Sequence, residues 1–248
     1  MGSRSLLVGG GATDQAADQV IERAKKIAGH TLEVSPDDLE FEEGTFTIAG
    51  TDRQTTLAEV ARAAVDRDDL PEDLKGPLAE TGHYDSPDQE TFPNGVHVCE
   101  IEIDRDTAAL EITRYVVVDD FGMVLNPMLV MGQIHGGVAQ GIGQALLEQT
   151  VYEADSGQLV TATYQDYTMP RADDLPDIEI EFINVPCKTN PFGIKGAGEA
   201  GAIGAPPAVI NALVDALEPY GVLHVDMPAT NQRIWQVLQE SAPKAAAE

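Results

Sequence analysis

Apolar positions in the first third of the chain recur at helical spacing twice, on either side of a short alternating segment. Residues 15–29 carry apolar side chains three and four apart and end at Gly29, a plausible helix stop. Leu39 to Ile48 alternates around Gly44 and predicts a hairpin. Residues 56–65 predict a second helix, with Thr56 and Glu59 at the spacing of a capping box. Residues 66–91 are acidic, contain Pro71, Pro77 and Pro87, and read as a connection that crosses between two lobes.

From Val96 the period changes to two. Val96–Ile103 and Ala109–Val118 predict a pair of strands joined at Asp104 to Thr107. Val130 to Gln149 predicts a helix that holds glycine at 132, 136, 137, 141 and 143. Each interior glycine costs a helix about 1 kcal/mol relative to alanine, so five of them imply close packing on another backbone or on a ligand. Further strands are expected at 159–168 and 178–185, and helices at 207–217 and 234–240, with a frayed tail from Ala242. Strands and helices mix without strict alternation, which predicts an α+β fold.

Composition narrows the partners. The 248 residues hold 42 acids against 15 bases, a net charge of −27. Such a field repels nucleic acid and anionic membrane. The acids are spread along the chain rather than gathered in one arm, and lysine is scarce, a pattern suited to a high-salt cytoplasm. Cys99 and Cys187 stand alone, with no C-x-x-C pair or Cys/His cluster. No zinc or iron–sulfur site is expected, and two isolated thiols fit a reducing compartment. No apolar run of about 20 residues and no signal peptide is evident, so the expected location is cytoplasmic.

The segment Asn190-Pro-Phe-Gly193-Ile-Lys195-Gly196-Ala-Gly198-Glu199-Ala-Gly201 carries the chemistry. Glycines let backbone approach a ligand closely, bare amides favour an anion, and Lys195 adds a positive charge. Glu199 is then a carboxylate beside a bound anionic group. The spacing G-x-G-x-x-G at 196–201 also suggests a nicotinamide dinucleotide. That reading needs a strand directly before the glycines, and Pro186, Asn190 and Pro191 intervene.

Four ordered segments resemble the large subunit of the molybdenum hydroxylases: xanthine dehydrogenases, aldehyde oxidoreductases and aerobic carbon monoxide dehydrogenases. They are Gly2-Ser3-Arg4-Ser5 with Gly9-Gly10, Phe92 to Asp104, Asp120 to Gly141, and Gly193 to Leu217. The form Gln133-Ile-His135-Gly136-Gly137 leans toward the carbon-monoxide-dehydrogenase-like branch. The resemblance implies a two-lobed C-terminal half of a large subunit, either a split chain or a fragment. Its lobes would be 1–90, with the N-terminal cofactor loop, and 91–248, with the Gln133 helix and the Glu199 loop.

It further implies molybdopterin, in bacteria the cytosine dinucleotide form, with molybdenum. Glu199 would be the catalytic base and water the oxygen source. Gly2, Ser3, Ser5, Gly132, Gln133, Lys195, Gly196 and Gly198 would bind the cofactor, with no protein ligand to the metal. Asp120 and Asn126 match a family turn, where closing the turn competes with cofactor contact. His97 and His135 read as structural, and Trp235 as core or interface. Iron–sulfur clusters and FAD would sit on partner subunits, and another chain would carry the N-terminal half. A non-catalytic assembly module is the alternative from another class. The substrate is left open among aldehyde, heterocycle and carbon monoxide.

Overall fold

A computed structural model describes residues 3–85 and 90–241. The chain divides into two units, Arg4–Asp88 and Met1–Ser3 with Gln89–Glu248.

In the first unit a π-turn, Ser5–Gly10, leads into α1, Gly11–Leu32. The helix overruns Gly29, which is not its stop. A Cβ there would lie 2.9 Å from the Val34 carbonyl, so glycine lets the chain fold back against the helix end. Strands β1 (Leu39–Glu42), β2 (Thr45–Ile48) and β3 (Gln54–Thr56) form an antiparallel sheet in that order. Helix α2, Leu57–Asp66, starts at the expected capping box: Glu59 N donates to Thr56 Oγ1 at 3.2 Å, and Thr56 N donates to Glu59 Oε2 at 2.8 Å. Ile27, Phe46, Val60 and Ala64 from these elements close a small core. Arg23 ties residues 74–77 to α1 by donating to their carbonyls, the Lys75 oxygen at 2.8 Å among them.

The second unit is built on β4 (Asn94–Ile103), β5 (Leu110–Asp120) and β6 (Ile178–Phe182), the first pair antiparallel and the second parallel. Asp104 Oδ1 closes the β4–β5 turn by accepting from Thr107 N at 2.8 Å. The inner face of this sheet packs on α3 (Pro127–Ile142) and α5 (Ala200–Leu217). Tyr115, Val117, Ile134, Val138, Val209 and Leu213 are fully buried there. At roughly 1.5–3 kcal/mol per buried large apolar side chain, this layer dominates the unit's stability.

Three local expectations change. Residues 159–168 hold no strand: Leu159 makes a single bridge to Tyr152, and α4 (Tyr164–Tyr167) begins where Thr163 Oγ1 accepts from Asp166 N. Helix α3 begins at Pro127 rather than Val130, because Asn126 Oδ1 caps it by accepting from Leu129 N. It ends in a π-turn at Gly143–Leu147. Helix α5 starts seven residues before Pro207 and carries Pro206 and Pro207 inside it. The segment Ala200–Tyr220 is thereby long and apolar enough to cross a membrane, contrary to the reading from the sequence. Ala205, Val209, Leu213 and Leu217 instead bury one side of it in the core. Helix α6, Asn231–Glu240, closes the unit, with Ile234 buried and Trp235 45% exposed.

Candidate active site

The loop between β6 and α5 is clamped at both ends. Asn190 brackets Ile194, accepting from its N at 3.1 Å and donating to its carbonyl at 3.0 Å. Gly193 sits at φ 65°, and its carbonyl accepts from Met123 N and Cys187 N, both at 2.9 Å. Gly122, at φ 66°, lies under that carbonyl, and a Cβ there would fall 2.1 Å from it. These two glycines let the loop lie flat on the end of β5.

Lys195 pairs with the end of β5. Its ammonium donates to Asp120 Oδ2 at 2.5 Å, with both side chains about nine-tenths buried. Asp120 Oδ1 accepts from Gly122 N and Val185 N. Burial pushes the Asp120 carboxyl up, and these hydrogen bonds outweigh it and hold the group below the usual carboxylate range. The lysine charge therefore locks the loop to β5. Asp120 and Asn126 take the turn-closing and capping roles.

Beyond Lys195 the loop meets Ser3. Gly198 N donates to Ser3 Oγ at 3.0 Å. A Cβ on Gly196 would lie 2.7 Å from Ser3 Cβ, and one on Gly198 would lie 2.5 Å from Ser3 Oγ. Gln133, exposed on α3, donates from Nε2 to the Gly198 carbonyl at 2.6 Å. The structure thus gathers Ser3, Gln133, Gly196, Gly198 and Glu199 at one place. Gly132 and Gly136 lie on the open side of α3, where a Cβ would meet nothing within 4 Å. Ser5 belongs to the other unit and is exposed. Gly2 lies outside the described residues.

Glu199 is the N-cap of α5, yet its side chain makes no capping bond. It stays exposed on the wall of a 440 Å³ pocket. Sequence reasoning set aside the opposite wall. The β4–β5 register puts Gly95, His97 and Cys99 across from Asp119, Val117 and Tyr115 on the inner face. His97 Nδ1 is 2.9 Å from the Tyr115 hydroxyl, and its Nε2 is 3.7 Å from Asp119 Oδ1. Asp119 is 3% exposed, and its Oδ2 has no hydrogen-bond partner. Both side chains stand at core-facing positions of their strands, which the register brings together. Exposed His135 bonds the Met131 carbonyl at 2.8 Å through its ring.

Strand β6 ends at Phe182, so the glycines 196–201 follow a long loop, and the strand-glycine-helix unit of a dinucleotide fold is missing there. The fit to a pterin-type cofactor rests on other features. A Cβ-free ledge at Gly132 and Gly136, beside an exposed amide and a serine hydroxyl, leaves room and polar partners for a flat group. The residues fit.

Fold and site together suit a cofactor-binding domain, and the comparisons make it specific. The family model of the molybdopterin cofactor-binding domain matches residues 1–176. The carbon monoxide dehydrogenase large chain of Hydrogenophaga pseudoflava is 38% identical over 96% of this chain and 29% of its own length. The nicotine 6-hydroxylase large subunit of Paenarthrobacter nicotinovorans is 36% identical over 94% of this chain and 29% of its own. Quinoline 2-oxidoreductase from Pseudomonas putida 86 superposes with a TM-score of 0.86 at 42% identity, over 97% of this chain and 30% of that one. The chain belongs to the molybdenum hydroxylase large-subunit family, and it spans about 30% of the length of the relatives it matches.

Proposed function

We propose that this chain is the molybdopterin-binding component of a molybdenum hydroxylase that oxidises a small substrate with water as oxygen source, and that Glu199 is its base. The observation that carries the reading is the Gln133 Nε2 bond to the carbonyl of Gly198, the residue before Glu199, on a loop whose Gly198 and Glu199 line a pocket. Ser3, Gly132, Gln133, Gly196 and Gly198 would hold the cofactor, together with Gly2 and Ser5 from the N-terminal loop. The cytosine dinucleotide form is the one proposed. Lys195 acts by fixing the loop through Asp120. When bound, the molybdenum group supplies the two-electron oxidation.

Glu199 has the attributes of a general base: no partner in its own helix, an exposed position, and a rigid loop behind it. The remaining pocket and the electron path would come from a chain carrying the N-terminal part and from iron–sulfur and FAD subunits, in the cytoplasm. The test is Glu199→Gln in the purified complex. Turnover should fall by at least about 10³-fold with molybdenum content unchanged, since removing a positioned base and its charge costs that order. Unchanged turnover at full metal occupancy would refute the assignment of the base. A non-catalytic cofactor-holding module predicts metal without turnover in the wild type.

A further inference from the structure

Glu199 is the N-cap of α5 and makes no capping bond, so its place is set by the backbone on either side of it. Before it, Lys195 is pinned to Asp120. After it, the first turns of α5 present two bare glycines to different supports. Gly201 lies against α3, where a Cβ would come 2.7 Å from the Ile134 carbonyl. Gly204 lies against the His97 ring of β4, where a Cβ would come 2.6 Å from Cε1 and 2.7 Å from both ring nitrogens. The helix backbone is thus seated on the imidazole itself.

That imidazole is held on both sides. Its Nδ1 is 2.9 Å from the hydroxyl of the fully buried Tyr115, and its Nε2 is 3.7 Å from Asp119 Oδ1. Burial, aided by the nearby Cys99 and Asp119, pushes the Tyr115 hydroxyl up, so it stays protonated. Donating that proton to Nδ1 leaves the ring N–H on Nε2, the nitrogen that faces Asp119. Gly95 completes the seat, since a Cβ there would lie 1.9 Å from Asp119 Oδ1.

The pair is costly. The His97 and Asp119 side chains are 7% and 3% exposed, and Asp119 Oδ2 has no hydrogen-bond partner among the described residues. A leucine would fill the same space without a buried charge. What the polar chain adds is orientation, because a ring held at both nitrogens has one place while an aliphatic side chain can change rotamer. Asp119 and Asp120 are neighbours at the end of β5, and successive strand residues point to opposite faces. Each therefore secures one end of the segment Lys195–Gly204 that carries Glu199.

We infer that the Tyr115–His97–Asp119 chain is a positioning device for Glu199, fixing the ring on which α5 is seated. The inference rests on the reading of Glu199 as the base, yet the seating is measurable without metal or substrate.

The test labels the full chain at the glutamate carboxyl carbons and identifies the Glu199 signal by its loss in Glu199→Gln. His97→Ala should shift or split that signal. The Ile203 amide, which donates to the Glu199 carbonyl at 2.9 Å, should exchange hydrogen at least about tenfold faster. His97→Gln, which keeps an amide for Asp119, should restore most of both, and His97→Leu, which keeps only bulk, should not. Gly204→Ala covers the case in which His97→Ala does not fold: its Cβ meets the ring and should displace the Glu199 signal. In the molybdenum-loaded complex, turnover of whichever of quinoline, benzaldehyde or carbon monoxide the wild type oxidises should fall about 10²-fold in His97→Leu. An unchanged Glu199 signal and Ile203 amide in folded His97→Ala or Gly204→Ala would overturn the inference, as would full restoration by His97→Leu. Unchanged turnover in Glu199→Gln would sink the base reading alone and leave the seating result standing.

Discussion

Helix α3 carries glycine on two faces, and the two sets meet opposite surroundings. Gly137 and Gly141 face α5 at backbone contact: a Cβ on Gly137 would lie 2.9 Å from Ala202 N, and one on Gly141 would lie 2.7 Å from Ala205 Cβ. Gly201 answers from α5, where a Cβ would lie 2.7 Å from both the Ile134 carbonyl and Val138 N. Gly132 and Gly136, on another face of the helix, meet nothing within 4 Å. The first set is required by folding. The second has no folding reason, and a glycine that weakens a helix without packing calls for another explanation. The ledge they leave lies on the same helix as Gln133, which reaches the Glu199 loop.

The comparison can be broken at its most buried point first. Asp120→Asn or Lys195→Met alone should cost roughly 3–5 kcal/mol, because each leaves an uncompensated buried partner. Denaturant melts check this, and a double change to apolar residues should recover much of the loss. The sign with pH follows from the depressed Asp120 carboxyl. Its contribution is full above the unfolded aspartate pKa of about 3.9 and is lost as pH falls through the lower folded value. Stability should therefore drop steeply in acid, and Asp120→Asn should flatten that part of the profile.

The packing face comes next. Gly201→Val drives a branched side chain into the α3 backbone and should cost about 3 kcal/mol or more, read from the same melts. A near-neutral result would mean that the helices separate easily, and the contrast between the faces would lose its meaning. The open face should respond in the other direction. Gly132→Ala should stabilise by about 0.5–1 kcal/mol, since a Cβ there meets nothing. If the ledge receives the cofactor, the same change should lower molybdenum occupancy, an effect stability cannot explain. The smallest effect belongs to the first unit, where Thr56→Ala removes one half of the capping box and should cost about 1 kcal/mol.

Periodic segments were legible from the residues. The β4–β5 pair, α2 with its cap, and the glycine-driven closeness of α3 all followed from alternation, capping chemistry and the cost of glycine in a helix. What failed was local competition. Leu159 to Thr168 alternates like a strand, yet Thr163 finds an amide to cap and turns the chain into a short helix. Helix α5 begins before its prolines and runs through both, with Pro206 against Gly141 of α3, a tertiary contact no local pattern holds. At the site, Glu199, Gln133 and Ser3 came from matching motifs, and the structure places them together. The partner of Lys195, Asp120, is 75 residues away, so their ion pair had no local signal. Asp119 was passed over because it sits beside Asp120, and only the strand register shows that it faces His97.

The central claim, that the Gln133–Glu199 surface holds a molybdopterin, is tested most directly by elemental and pterin analysis of the natively purified protein and its co-purifying chains. The account predicts near-stoichiometric molybdenum and pterin in the wild type, with sharply lower values in Gly132→Val at unchanged fold. A well-folded protein that carries neither molybdenum nor pterin, alone or with its partners, would contradict it.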